Sequence, residues 1–515
     1  MLRAIAGQIE FPDWMTGRQR RLNIYDRWLD GEFYAHLPYD FSVELESNGE
    51  YIRLLNRRPS WQANIPELLS RELALKLWAG QNRPRFDHAS DALCEAAEAL
   101  VVEGQLIEKM TEATFLGQVG AVFVSFALVE HAGAPNIQFD VWHARDCEPR
   151  FDEAGELTTC RVQYLCGGQA FLAQGITQAY SEGTTEGGDL VAILPDGQYW
   201  FTRDYGPELT VGYTPIVGAD YKPHDPETAA LLHPDPERVQ VHMLGDIPGV
   251  WMRNLPGGDI PDGACTFEPG LENCVVLDYT MSQLDRGLLY NLCPQVILQG
   301  ELINESYDGA KTIHRGPTNT FQFPAVQKGL DGQQTGGGDA KLLESNGAVF
   351  DRAREIVEVM RKFILEQILA SRKDPDKFSG PQSGAAAKIL DEEHDALVQT
   401  MRSSYGEKGF LPLLRKALVA AWLLGHPAVP DIDPAELKLV WPVLHKLTPQ
   451  DFALLQPALF QAVQLGWIGP EDAQKIWAAN LDIPLKSLPT PMAPPPLPDP
   501  VDLAKTRGAA GETDE

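Results

Sequence analysis

Apolar and polar residues alternate with two different periods along this chain, and the period changes near its middle. From Asn64 a helix is expected, with Pro66 in its first turn and Leu68, Leu69, Leu73 and Leu77 at helical spacing. A second helical stretch is expected over Ala89 to Met110. Between about 115 and 250 short β-branched and aromatic runs take over: GAVFVSFALV, NIQFDVW, TTCRVQYL, LVAIL and QYWF. Gly, Pro and Asp separate them, and Pro195-Asp196-Gly197 and Glu153-Ala154-Gly155 read as hairpin turns. Residues 1–265 therefore read as one α+β region.

Beyond residue 265 the pattern becomes mostly helical. Over 268–292, Leu277, Met281, Leu284, Leu288 and Leu292 recur at steps of four, three, four and four, and predict a long helix. Asp278, Ser282, Asp285 and Arg286 share a neighbouring polar face, and Asp278 and Asp285 are expected to be exposed. Residues 294–345 lose the helical period and carry the β-like runs QVIL, KTIH and NTFQF and the glycine-rich GLDGQQTGGGD. A second long helix is expected from about Ala348 to Ala370, with Val349, Ala353, Ile356, Val357, Met360, Phe363 and Ile364 on one side and charged residues on the other. A polar loop, SRKDPDKFSGPQSG, spans 371–384. A third helix should start near Ala385, break around Gly406 to Pro412, and resume through LLRKALVAAWLL. Residues 448–480 read as a helical hairpin closed at Gly466. The stretch PTPMAPPPLPDP lies in a tail, from about 486, expected to be extended and mobile.

Composition narrows the function classes. The 515 residues are 44% hydrophobic and 22% charged, a globular balance. A net charge of −29 argues against a broad surface that grips DNA phosphates. No apolar run approaches the roughly 18 to 20 residues of a membrane span, so no membrane partner is expected. The first residues, MLRAIAGQIEFPDWM, lack the apolar core of a signal peptide. Seven scattered cysteines read as reduced thiols with no disulfide framework.

Candidate chemistry is sparse. The chain holds no G-x-x-x-x-G-K-[ST], no H-E-x-x-H, no G-x-S-x-G and no strand-linked G-x-G-x-x-G. His143, Cys147, Cys160 and Cys166 do not have zinc-site spacing. Asp391-Glu392-Glu393 reads as a solvated helix face. Asp374 and Asp376 open like a calcium loop, but Phe378 takes the next ligand position. The chain is therefore expected not to be an enzyme and to carry no cofactor or metal.

The order of elements resembles the portal proteins of tailed bacteriophages, of the siphophage head–tail connector type. The stretches LNRRPSWQANIPELLSRELALKLWAG, IPGVWMRNLPGG, LLYNLCPQVILQG, SGAAAKILDEEHDALV and LLQPALFQAVQLGWIGPEDAQ carry the likeness, which covers most of residues 50–480. The resemblance implies an α+β portal-type fold. Its parts would be a wing over 1–265, a first stem helix over 266–293, a small β-rich clip over 294–346 and a second stem helix over 347–370. A tunnel loop over 371–384, kinked wing and crown helices over 385–485 and a proline-rich disordered tail over 486–515 complete it. It implies a ring, usually of twelve copies, at one capsid vertex of the virion, assembled in the host cytoplasm. Double-stranded DNA would be packaged through it by the terminase large subunit and later ejected. Head–tail connector or adaptor proteins and the major capsid and scaffold proteins would be its other partners.

The resemblance also implies sites. Arg372, Lys373, Asp374, Asp376 and Lys377 would form the tunnel loop beside DNA. Asp278, Ser282, Asp285 and Arg286 would face the channel on the stem. Lys311, His314, Arg315, Gln322 and Lys328 would lie in the clip where terminase and connector dock. An acidic ring wall would let the duplex slide without sticking. Two other readings stay open: a different virion connector or capsid protein, and a cytosolic enzyme of another family.

Overall fold

The computed structural model describes residues 1–131, 134–182, 188–242, 244–292, 295–299, 327–328, 334–335, 339–343, 348–368, 392–444, 449–473 and 476. Helices and sheets are mixed throughout, as the α+β reading expects. The chain divides into two compact units. One comprises Met1–Ile9, Tyr34–Ala63 and Leu271–Ile364; the other comprises Glu10–Phe33, Asn64–Gly270 and Leu365–Glu515.

The larger unit is built on two sheets. The strand Ala121–His131 pairs on one side with Ala134–His143 and on the other with Gly249–Arg253, all antiparallel. Its residues Ala121 to Val124 are fully buried, which explains why this run reads as continuously apolar rather than alternating. An eight-stranded sheet is centred on Gln198–Tyr205, which pairs with Leu157–Gly167, Leu209–Tyr213 and Ile216–Val217.

Three local expectations meet the structure differently. The Glu153-Ala154-Gly155 turn does join a paired hairpin, Cys147–Phe151 with Leu157–Gly167, and Gly155 takes a φ of +84° there. The Pro195-Asp196-Gly197 turn is present but joins no hairpin: Asp189–Ala192 pairs with Gln178–Ser181, whereas Gln198–Tyr205 pairs elsewhere. The single helix expected over Ala89 to Met110 is two, Asp91–Glu103 and Leu106–Gly117. Gln105 between them is left-handed (φ +50°), and a Cβ on Gly104 would meet the Phe139 ring at 2.5 Å. Ring and glycine pack too closely there for a continuous α-helix to pass with an ordinary residue.

The helix Ile65–Trp78 buries Leu69, Leu73 and Leu77 and leaves Leu68 exposed. The third long helix does not break. It runs as Glu392–Met401, then a π-helical segment Arg402–Phe410, then Leu411–Leu423. Two glycines and the donor-less Pro412 weaken the α register at the point where the sequence suggested a gap. The widened π turn carries the rod through. The C-terminal helix Pro449–Gln464 ends at a left-handed Gly466, and helical backbone resumes at 470–473.

The smaller unit contains the helix Leu271–Leu292, about 33 Å long at 1.5 Å per residue. Strand Gln295–Gln299 follows it and pairs antiparallel with Asp339–Leu343, from Gln295↔Leu343 to Gln299↔Asp339. The helix Ala348–Gln367 comes next. The chain thus leaves one long helix, makes an excursion, and returns to a second through a closed pair of strands. Within the excursion Gln327–Lys328 pairs with Gln334–Thr335 of the glycine-rich stretch. The runs KTIH and NTFQF lie outside the described residues.

Candidate functional site

The polar face of Leu271–Leu292 was expected to look into water. Two of its members do the opposite. Asp278 is 1% exposed and Ser282 is 0% exposed. Asp278 accepts hydrogen bonds from the Tyr34 hydroxyl at 2.9 Å and from the Ala63 backbone N–H at 2.8 Å. Ser282 Oγ accepts from the Trp61 N–H at 3.0 Å and donates to the Asp278 carbonyl at 2.8 Å. The reason is backbone satisfaction. The segment around Trp61 to Ala63 has no sheet partner for these N–H groups, so acceptors four residues apart on one helix supply the bonds. The exposed position expected for Asp278 is therefore corrected: with Ser282 it forms an inner seam.

Arg286 extends the same seam, pairing with Glu44 at 2.7 Å, and Asp285 is half-buried. Tyr279 donates to the Arg57 carbonyl at 2.8 Å. The Arg57 side chain is buried, lies over the rings of Phe41 and Tyr51, and donates to the Phe41 carbonyl. Burial pushes the Asp278 carboxyl up to about 6, against the pull of its two donors. The folded state thus holds the proton more tightly than the unfolded state. The penalty for ionising Asp278 is fully present above pH 6 and fades below about pH 4. We expect Asp278→Ala to lower unfolding free energy by about 2–4 kcal/mol, because two buried donors lose their acceptor. Wild type should lose stability relative to Asp278→Asn as pH rises from 4 to 7. Parallel urea-denaturation curves at several pH values read both effects, and parallel pH profiles would contradict the second.

Most of the other sequence-derived residues fall outside the described structure. Arg372, Lys373, Asp374, Asp376 and Lys377 lie outside the described residues, as do Lys311, His314, Arg315 and Gln322. Lys328 belongs to the short strand Gln327–Lys328.

Two features of the larger unit escaped sequence reasoning. The first is a buried polar chain at the π segment. Tyr405 donates to Asn254 Oδ1 at 3.0 Å, and Asn254 Nδ2 donates to Thr266 Oγ1 at 2.7 Å. Thr266 in turn donates to Gln118 Oε1 at 2.6 Å. The Gln118 amide donates to the Thr114 carbonyl, and Trp78 Nε1 donates to the Thr114 hydroxyl at 2.7 Å. Glycines make the close packing possible: a Cβ on Gly117 would overlap Tyr405, one on Gly406 would overlap Trp441, and one on Gly409 would press on Met252. Gly406 and Gly409 lie within the expected break, whereas Gly117 did not stand out beforehand. We expect Asn254→Ala to cost about 2–3 kcal/mol in urea unfolding, since a satisfied buried chain is cut at its branching amide; a loss under 0.5 kcal/mol would contradict that.

The second is a groove of about 1050 Å³. Residues 249–258 line one side, the hairpin around Phe151 to Leu157 another, and Ser404, Glu407, Lys408, Pro412 and Lys416 of the kinked rod a third. Lys416 Nζ is 2.8 Å from Asp246 Oδ2 and also reaches the carbonyls of Ile247 and Gly249.

A buried ionic cluster completes the survey. Asp26 is 3.1 Å from Arg145 and 3.6 Å from His143, and Asp146 sits 3.7 Å from Arg145. Burial lifts the Asp146 carboxyl to about 6. Burial pulls the His143 imidazole down, but Asp26 outweighs it and the net shift is upward. Arg18 locks the same region by a two-pronged bond to Asp262, 2.8 Å on each prong. These groups tie the helix Gly17–Leu29 to the residues that follow the strand Ala134–His143. Among the described residues no three His, Cys, Asp or Glu side chains gather as a metal site, and no helix is long and apolar enough to cross a membrane.

No family model matches the chain. Over 165 residues it is 27% identical to the molting protein mlt-10 of Caenorhabditis elegans, a stretch covering 30% of this chain and 23% of that protein. The chain thus spans about a quarter of the length of this curated relative. Among solved structures, the neck of an empty GTA particle computed with C6 symmetry aligns at a TM-score of 0.37 and 13% identity, over 81% of this chain and 89% of that one. The virion of a native gene transfer agent particle aligns at 0.32 and 12%, over 81% and 99%. At TM-scores this low neither likeness defines the fold.

Proposed function

We infer that this protein is a portal: a ring-forming conduit, usually of twelve copies, at one vertex of a tailed-phage-type capsid. One observation carries the reading. The helix Ala348–Gln367 is amphipathic, and part of its apolar side is exposed in the single chain: Ile356 is 54%, Val359 65% and Phe363 50% exposed, whereas Val357 and Met360 are half-buried and Ile364 is buried. Its other side is charged, including Arg354 and Glu358 at 3.3 Å. A helix of about 30 Å that leaves an apolar stripe in water calls for another surface to cover it. In a ring, a neighbouring copy covers the stripe and the charged side lines the channel.

The strand pair Gln295–Gln299 and Asp339–Leu343 supports the same arrangement. It closes the base of the excursion between two long helices, which suits a clip held at the end of a two-helix stem. Charge supports it as well. Twelve copies at −29 each give a wall of roughly −350 formal charges, which repels DNA and lets it slide. Arg372, Lys373 and Lys377, interleaved with Asp374 and Asp376, would touch phosphates only transiently. Force for packaging would come from a terminase ATPase at the clip, and connector proteins would take its place afterwards. With Asp278 and Ser282 committed to the inner seam, the channel side of the stem falls to the second helix.

Light scattering behind size exclusion tests the reading. Wild type should run as one species of about twelve chain masses. Ile356→Lys with Val359→Lys should shift it to a small species while leaving the circular-dichroism spectrum intact. A wild-type monomer, or a double variant with unchanged mass, overturns the proposal. Lys373→Ala with Lys377→Ala should keep the ring mass and change the yield of packaged DNA in an assembly assay; an unchanged yield would remove the tunnel loop from the DNA path.

A further inference from the structure

Besides the stripe on Ala348–Gln367, the smaller unit carries a second exposed apolar surface, on the tight hairpin around Gly49. The Glu46 N–H donates to the Glu50 carbonyl and the Ile52 N–H to the Glu44 carbonyl, both at 2.8 Å, and Leu45 sits opposite Tyr51. Gly49 takes a φ of +86° in the turn. Alternate residues of a paired strand face opposite ways. On one face Ile52 is buried and Glu44 pairs with Arg286. The other face bears Val43, Leu45, Tyr51 and Arg53, with Leu45 58% and Tyr51 63% exposed. Arg57 fixes the Tyr51 ring in that position: it donates to the Tyr51 hydroxyl at 2.8 Å, and its guanidinium lies over the ring. A preformed apolar face of this kind marks an interaction surface.

We propose that this hairpin, from a second copy of the chain, is what covers the Ile356–Phe363 stripe, a pairing that rests on the ring reading above. The order of charges carries it. At 3.6 residues per turn, Glu355, Ile356, Val359, Lys362 and Phe363 share one side of their helix. Glu355 stands at the N-terminal end of the apolar residues, and Lys362 lies about 10 Å further on at 1.5 Å per residue. On the hairpin Arg53 and Glu50 flank Tyr51 with opposite signs, also about 10 Å apart at ~3.4 Å per residue. Laid along the stripe, the hairpin sets Arg53 against Glu355 and Glu50 against Lys362, with Leu45 and Tyr51 on Ile356, Val359 and Phe363. The reversed direction would oppose like charges at both ends. Arg53, Glu50 and Glu355 are exposed and have no ion-pair partner among the described residues. Because both surfaces are exposed in the single chain, neither covers the other there. A contact between two different surfaces is head-to-tail, and repeating it gives a ring when the rotation closes. Stripe packed on stripe would stop at a dimer.

Oxidative cross-linking of the full chain tests the pairing. Chains carrying both Tyr51→Cys and Val359→Cys, treated with copper phenanthroline, should give a ladder of covalent multimers that passes the dimer, whereas wild type and each single variant should stay monomeric on a denaturing gel. Dimers from Val359→Cys alone would show stripe on stripe and overturn the hairpin as partner. Charge reversal reads the same contact without cysteines. Arg53→Glu and Glu355→Arg should each raise the protein concentration at which rings fall apart in light scattering by at least about tenfold, and the two together should return it to within about threefold of wild type. Wild-type rings with no ladder, or no rescue in the double reversal, overturn the hairpin and leave the ring reading standing. A wild type that forms no ring overturns both.

Discussion

A buried carboxylate holds the smaller unit together. Asp278 and Ser282, one helical turn apart, supply the acceptors that the Trp61 to Ala63 backbone and the Tyr34 hydroxyl lack. Without them the arm segment Tyr34–Ala63 would leave buried donors unpaired against the first long helix. The arm in turn brings Arg57, Phe41 and Glu44 against the helix, where Tyr279 and Arg286 meet them. Because that face is taken by the chain's own arm, the first helix has less surface left for neighbours, and the bare stripe falls on the second.

The larger unit solves a different problem. A long rod must pass the strand Gly249–Arg253 and the rings of Trp78 and Trp441 without a gap. The π segment lets it do so, because Tyr405, Gly406, Gly409 and Phe410 each serve a separate contact. The price is a buried polar chain from Tyr405 to Trp78, every member of which must be hydrogen-bonded. That chain fixes the strand Gly249–Arg253 beside the rod and so shapes the groove at its outer edge.

Long periodic elements were legible in the sequence, and partners across the chain were not. The two long helices, the apolar strand at 121–131 and the hairpin around Gly155 follow from period and turn chemistry alone. Asp278 looked solvent-facing because a one-dimensional pattern assigns a polar residue to water; only the distant arm reveals that it is an acceptor for orphaned N–H groups. Gly406 and Pro412 looked like a break because both disfavour an α-helix, and nothing local announces a π turn that needs Trp441 and Asn254 from elsewhere. The Pro195-Asp196-Gly197 turn was read correctly as a turn, but which strands it joins depends on pairings that its own residues do not encode.

Electron microscopy of single purified particles bears most directly on the central claim that copies of this chain cover one another's Ile356–Phe363 stripe to wall a pore. The account predicts rings with a central opening wide enough for duplex DNA and with the Ala348–Gln367 helices packed around it. Compact particles with no opening, or rings in which those helices lie at the periphery, would contradict it.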